Sequence, residues 1–206
     1  MKKLSILLIM GLFLIPALTI HAQCKLKSGD VNMLKGEKLM NLQFDYSNLA
    51  VGKFKSDDEY VASKTKEMNK KKAGSGDEWA EKWKADRESR YHPTFERSMN
   101  KILDRVNSGV RDGGKDVKYT LIVHVTFMEQ GFSSFGYLPS KKPFISLNVD
   151  VVETANPSKI LANIDMKHEE GHVYGDLEVD AGSRIQGCYD EAGDDLAGFL
   201  VRNSFK

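Results

Sequence analysis

The sequence predicts an α+β fold: a mainly antiparallel sheet of about four strands, with helices packed on it. Three observations carry this. Apolar and polar residues alternate with period two in three consecutive segments between residues 117 and 168. A segment of period-3.6 apolar residues closes the chain, and amphipathic helical segments fill the middle. Strands grouped apart from helices, rather than alternating with them, favour α+β over a doubly wound sheet.

The chain has 206 residues and a formal net charge of +1. It opens with Met1-Lys2-Lys3, an apolar run from Leu4 to Ile20, and Ala22 before polar sequence. A basic start, an apolar stretch and a small exit residue make a secretory leader over residues 1–22, and one domain is expected over 23–206. The run nears the length of a membrane span, but Pro16 and the Ile20-His21-Ala22 exit favour cleavage after Ala22. Cys24 raises a lipid anchor, which is the less favoured reading because Gln23 stands where that processing takes a small residue. Periplasmic or secreted placement is expected, with no integral span after cleavage. Loss of Lys2 and Lys3 with the leader takes the net charge from +1 to −1. Near-neutral charge leaves no electrostatic footprint for nucleic acid or an anionic membrane.

Cys24 and Cys188 are a candidate disulfide in an oxidising compartment. The alternative places Cys188 in the core of the last helix and leaves Cys24 free.

Along the chain, Leu42, Phe44 and Tyr46 alternate with Gln43 and Asp45, an early half-buried strand. Ser56-Asp57-Asp58-Glu59 is a helix start, and that helix runs to Lys70-Lys71-Lys72. Ala73-Gly74-Ser75-Gly76 breaks it. A second helix begins at Asp77, carries Trp79 and Trp83 one turn apart as core rather than a ligand platform, and is split at Pro93. Phe95, Met99, Ile102, Leu103 and Val106 continue its stripe. Ser108 to Asp116 is read as a polar loop. Its Gly109–Asp116 stretch nearly spells a P-loop, but Asp116 replaces the hydroxyl residue and the loop joins a helix to a strand, the wrong order. The meander follows: Val117–Met128, with Tyr119, Leu121, Val123, Val125 and Phe127 on one face; Phe144–Glu153; then Ile160, Ala162, Ile164 and Met166 after the turn residues 154–158. The closing helix, about Gly182 to Val201, buries Ile185, Cys188, Tyr189, Ala192, Leu196, Phe199 and Leu200.

Two segments suggest a site. His168-Glu169-Glu170-Gly171-His172 matches the H-E-x-x-H zinc-protease pattern, with His168 and His172 as ligands, Glu178 as a third and Glu169 as general base. That chemistry needs a helix, which sets both imidazoles on one face. Charged Glu170, the lack of a methionine after Met166, and the strand-like alternation before His168 weigh against it. A strand from Lys159 to His168 favours a binding module; a helix from Pro157 to Gly171 favours the hydrolase. The second segment is the glycine-bearing connection between the first two meander strands, where Phe132, Phe135 and Tyr137 either meet a ligand or fold over the core end. His124 reads as a satisfied sheet residue.

Phe44-Asp45-Tyr46-Ser47, the helix with Asp77-Glu78-Trp79 and Trp83, Tyr119-Thr120-Leu121-Ile122-Val123, Val152 to Lys159, and Arg184-Ile185 to Leu200 resemble a family of uncharacterised secreted proteins of Gram-negative bacteria. The resemblance covers most of the mature chain and marks a fold more than a chemistry. It implies a small α+β periplasmic or surface domain with no catalytic residues to carry over, and the His168/His172 pair is not part of its pattern. The function expected is therefore an exported, non-enzymatic module that binds an envelope protein or a small ligand, without cofactor. The alternative is a zinc-dependent metallohydrolase.

Overall fold

The early strand and the meander form as the alternation requires, but their pairing is not the expected one. In the computed structural model, which describes residues 23–132, 141–171 and 180–205, the strands are β1 (Gln23–Gly29), β2 (Met40–Asp45), β3 (Ala50–Val51), β4 (Val110–Asp112), β5 (Tyr119–Glu129), β6 (Phe144–Glu153) and β7 (Asn156–Glu170). They make one seven-stranded sheet in the order β1-β7-β6-β5-β2-β4, with β3 also on β5. The leader read over residues 1–22 lies outside the described residues.

The expected sheet of about four mainly antiparallel strands is thus corrected to a mixed sheet of seven. β1, β7, β6 and β5 pair antiparallel, whereas β2 and β3 run parallel to β5, and β4 runs parallel to β2. The cause is the connection. Between β2 and β5 the chain passes through α1 (Asp57–Lys71), α2 (Ser75–Asp86) and α3 (His92–Leu103). A helical crossover of that length returns the chain in its original direction, so the strands it joins lie parallel. β1 and β4 escaped notice for another reason. They are the sheet edges and have few apolar residues: β1 alternates only Cys24 and Leu26 with Lys25 and Lys27, and β4 has only Val110 before Arg111 and Asp112. The polar loop expected over Ser108–Asp116 contains β4.

The helices begin and end where the sequence chemistry places them. Ser56 Oγ accepts the Glu59 amide at 3.2 Å, and Glu59 Oε2 accepts the Lys55 amide at 3.2 Å, closing a capping box one residue wide of the usual pairing. Gly76 lets α2 fold back on α1, since a Cβ there would lie 2.2 Å from the Thr65 carbonyl oxygen. Pro93 splits the second helical segment: residues 87–91 form a π turn, closed by the His92 amide on the Arg87 carbonyl, before α3 starts. A proline cannot donate to the carbonyl four residues back, and the wider turn absorbs the missing bond.

α4 (Ala181–Ser204) buries the stripe read from its period, from Ile185 to Leu200. It packs against α3 and lies over β7, β6 and β1. The two helices approach closely at Gly193, where a Cβ would sit 2.7 Å from the Phe95 carbonyl oxygen. Beneath them Leu121, Val123, Val125, Leu147, Val149, Val151, Ala162, Ile164 and Met166 form the core. The opposite sheet face is a half-exposed polar ladder in which Asn148 and Asn163 exchange hydrogen bonds at 3.1 and 2.6 Å. Val152 and Thr120 are buried on that face as well.

Register shifts in the pairing break the simple alternation. One in β5, between Val125 and Phe127, sends Met128 rather than Phe127 into the core, and Phe127 stacks on Phe144 instead. The register shifts at the start of β7 leave Ile160 55% exposed, outside the face it was assigned to.

The helix–helix contact yields a paired expectation. Gly193→Ala should destabilise the protein by about 1–3 kcal/mol through overpacking. Gly198→Ala, whose Cβ meets only the movable end of Arg202, should stabilise it by about 0.5–1 kcal/mol. Urea denaturation of both variants checks the pair; equal effects would show that α3 and α4 are not in tight contact.

Candidate functional site

At the carboxyl end of β2 the strand period puts Phe44 and Tyr46 on the helix face, alongside Leu42, and turns Asp45 to the open face. Asp45 Oδ2 meets His124 Nδ1 at 2.7 Å, and Asp150 Oδ2 meets His124 Nε2 at 3.2 Å, so His124 is a satisfied sheet residue as read. Asp45 also accepts from the Ser47 amide and hydroxyl, which turns the chain away from the sheet.

On the helix face a chain of hydrogen bonds joins four elements. His92, at the start of α3, lies flat on Phe44 with ring centroids 3.9 Å apart. Its Nδ1 is 2.9 Å from Asp112 Oδ2 at the end of β4, and its Nε2 is 3.1 Å from the Tyr46 hydroxyl. Tyr46 Oη is in turn 3.1 Å from Tyr189 Oη of α4. The chemistry of the groups orients the chain. A carboxylate only accepts, so His92 Nδ1 carries a proton, and in a neutral ring Nε2 then accepts. Tyr46 then donates to His92, and Tyr189 donates to Tyr46. Burial lowers the His92 pKa below its ordinary 6.5, against the raising effect of Asp112, which agrees with a neutral ring. Burial holds the Tyr46 and Tyr189 phenols well above the usual tyrosine range.

The π turn brings Arg87 over the other side of Tyr46, with the guanidinium 4.2 Å from the ring centroid. Asp57, buried at the first position of α1, pairs with Arg87 through Oδ2 and accepts from Trp83 Nε1 through Oδ1 at 2.8 Å. Both carboxylate oxygens are used, as a buried charge requires. Trp83 is core, as expected, and Trp79 stacks against it at 5.7 Å.

Two open clefts flank His92. One of about 590 Å³ is walled by Tyr46, Ser47, Ser56, Asp57, Lys84 and Arg87. The other, of about 550 Å³, is walled by Gln43, Glu96, Arg97 and Asp112. Phe44, Glu88 and His92 belong to both. Volumes of this size suit a small ligand or a protruding side chain of a partner. Asp112, His92, Tyr46 and Tyr189 partner one another along the ridge, and a phenol held this high is a poor proton donor at neutral pH. The arrangement presents a fixed polar surface.

The sites named from the sequence fall elsewhere. The metallohydrolase reading needed a helix through His168; residues 156–170 are strand β7, so His168 and Glu169 point to opposite faces of a sheet. Among the described residues no group of three His, Cys, Asp or Glu could hold a metal ion. His172 and Glu178 lie outside the described residues. Phe132 is 48% exposed and stands outside the core, while Phe135 and Tyr137 also lie outside the described residues. The Cys24–Cys188 disulfide is not formed: both are free thiols, Cys188 buried and Cys24 half-buried, and burial raises the pKa of each.

The His92 ridge was not found from sequence because its members are 46, 92, 112 and 189 in the chain. The one local signal was a histidine directly before the helix-splitting Pro93.

No family profile and no curated protein matches the chain. Among solved structures it is similar to the PelC dodecamer from Paraburkholderia phytofirmans, with a TM-score of 0.38 and 10% identity over 90% of this chain and 100% of that one. A point variant of the same protein gives 0.32 and 11% over 83% and 96%. Likeness this loose identifies neither a fold nor a role. Among the described residues no helix is long and apolar enough to cross a membrane.

Two expectations follow from the orientation of the chain. Tyr46→Phe strands the Tyr189 donor and the His92 acceptor and should cost about 1–3 kcal/mol, whereas Tyr189→Phe leaves the bond from Tyr46 to His92 intact and should cost about 1 kcal/mol. Denaturation midpoints rank the two. For pH the sign is fixed by a depressed imidazole: the unfolded chain takes its proton first, at 6.5, so His92 favours the native state fully above that pH and progressively less below it. Relative to His92→Gln, the wild type should lose stability between pH 7.5 and 5.5; a gain over that interval would reverse the assignment.

Proposed function

We propose that this protein is an exported, non-enzymatic binding module whose ligand seats in the clefts beside His92. The observation that carries the reading is the Asp57–Arg87–Tyr46 stack. Three side chains, from α1, the π turn and the residue just after β2, are locked against one another at the mouth of a ligand-sized cleft. Groups fixed before binding lose little entropy on binding, which is how recognition sites are built.

The walls combine aromatic surface with charges of both signs, so the occupant is a polar small molecule of low net charge, or a polar side chain of an envelope protein. Export rests on the leader read over residues 1–22. A lipid anchor at Cys24 is disfavoured by its half-buried thiol and by the pairing of β1 with β7 from Gln23 onward.

A second reading places recognition on the aromatic connection between β5 and β6. Its support is Phe132, one of two large apolar side chains that are strongly exposed among the described residues, with Phe135 and Tyr137 in the same connection.

Capture from an envelope extract, followed by mass spectrometry of bound proteins and small molecules, tests both readings. Arg87→Ala should abolish specific capture and Phe132→Ser should leave it intact. The reverse pattern moves the site to the aromatic connection, and capture indifferent to both variants sinks the two readings together.

A further inference from the structure

Glu169 is buried where simple alternation would expose it. β7 carries an extra residue opposite Ser146: Met166 pairs with Leu147, yet Glu169 pairs with Ile145. His168 adopts φ 62°, the left-handed region that residues other than glycine seldom enter. This bulge turns His168 to the open face, where it stacks on Phe144 at 3.9 Å and Nε2 lies 3.0 Å from Glu170 Oε1. The same step turns Glu169 under α4, fully shielded from solvent.

The burial lacks ordinary compensation. No donor reaches either carboxyl oxygen of Glu169, and the group that faces it is the Asp195 carboxyl of α4. Two carboxyls can bond only by sharing a proton. Glu191 of α4 adds further negative charge, and on β6 Glu169 pairs with the uncharged Ile145. Cys24 of β1 feels both Glu169 and Asp195, with Arg202 acting on that thiol, and Cys188 feels Glu169 and Glu170. The backbone just beyond is packed tightly on α4: a Cβ on Gly171, two residues on, would lie 2.6 Å from the Cys188 amide nitrogen.

We propose that Glu169 and Asp195 form a proton-gated latch between the end of β7 and α4, closed by one shared proton and opened by its loss. A strained bulge in the left-handed region is retained here although an unbulged strand would have left the carboxyl in water, so the burial is built in. The device stands independently of the clefts at His92.

Burial, with Asp195 adding to it, raises the Glu169 carboxyl from 4.5 to about 8. The sign follows. A carboxyl raised in the closed state favours closure fully below pH 4.5, and that preference is lost as pH climbs toward 8.

Hydrogen exchange of the full chain, read on peptides covering residues 185–200, tests the latch. Taking the ratio of wild type to E169Q at each pH removes the intrinsic pH dependence of exchange. The ratio should climb close to tenfold between pH 6.5 and 7.5, because an opened carboxyl is ionised throughout that range. A flat ratio, or one that climbs equally in α1 and α2, overturns the proposal. Should E169Q not fold, Asp195→Asn decides. Without the second carboxylate the wild-type climb over the same interval must shrink, and an unchanged climb overturns the latch.

Discussion

The hydrogen-bond chain from Tyr189 through Tyr46 and His92 to Asp112 is the constraint on which the described structure turns. It joins α4, β2, α3 and β4, elements far apart in sequence, and each of its links has one direction. A carboxylate closes one end, so Nδ1 carries a proton; burial favours the neutral ring, and in that ring Nε2 accepts and both phenols donate toward it. The parallel pairing of β2 with β5 supports this arrangement. It fixes the register that sends Tyr46 toward the helices and Asp45 toward His124. A slip of one residue would exchange those two side chains and break both networks.

The same constraint explains why the clefts are shaped as they are. Pro93 forces the helical segment to widen into a π turn, and that turn delivers Arg87 and His92 to the two sides of the β2 end. Asp57 completes the stack from the first turn of α1, held by its own amide on the Leu49 carbonyl at 2.8 Å. The Asp57, Arg87 and Tyr46 side chains beside the ridge are thereby held against one another.

Much of this was legible in the residues, for physical reasons. The α4 stripe, the three long strands of the meander and the break at Pro93 follow from local periodicity or from proline geometry, and they appear within a residue or three of their expected bounds. Pairing direction is a property of the connection rather than of any strand, so β2 looked like an antiparallel neighbour. The edge strands β1 and β4 carry only Cys24, Leu26 and Val110 as apolar residues, too few for an alternation to stand out. Bulges hide for a related reason: one extra residue inverts every later assignment, which is how Phe127 left the core and Glu169 entered it. The zinc pattern was a coincidence of spelling, since a four-residue step brings imidazoles together on a helix and not on β7. The His92 ridge has no short motif at all, because it exists only once the sheet order is known.

Direct observation of the His92 ring nitrogens tests the account most sharply. Nitrogen-15 chemical shifts at neutral pH should show a neutral imidazole with the proton on Nδ1 and an unprotonated, hydrogen-bonded Nε2. A proton on Nε2, or an imidazolium at that pH, would contradict the orientation of the chain and with it the fixed ridge between the clefts.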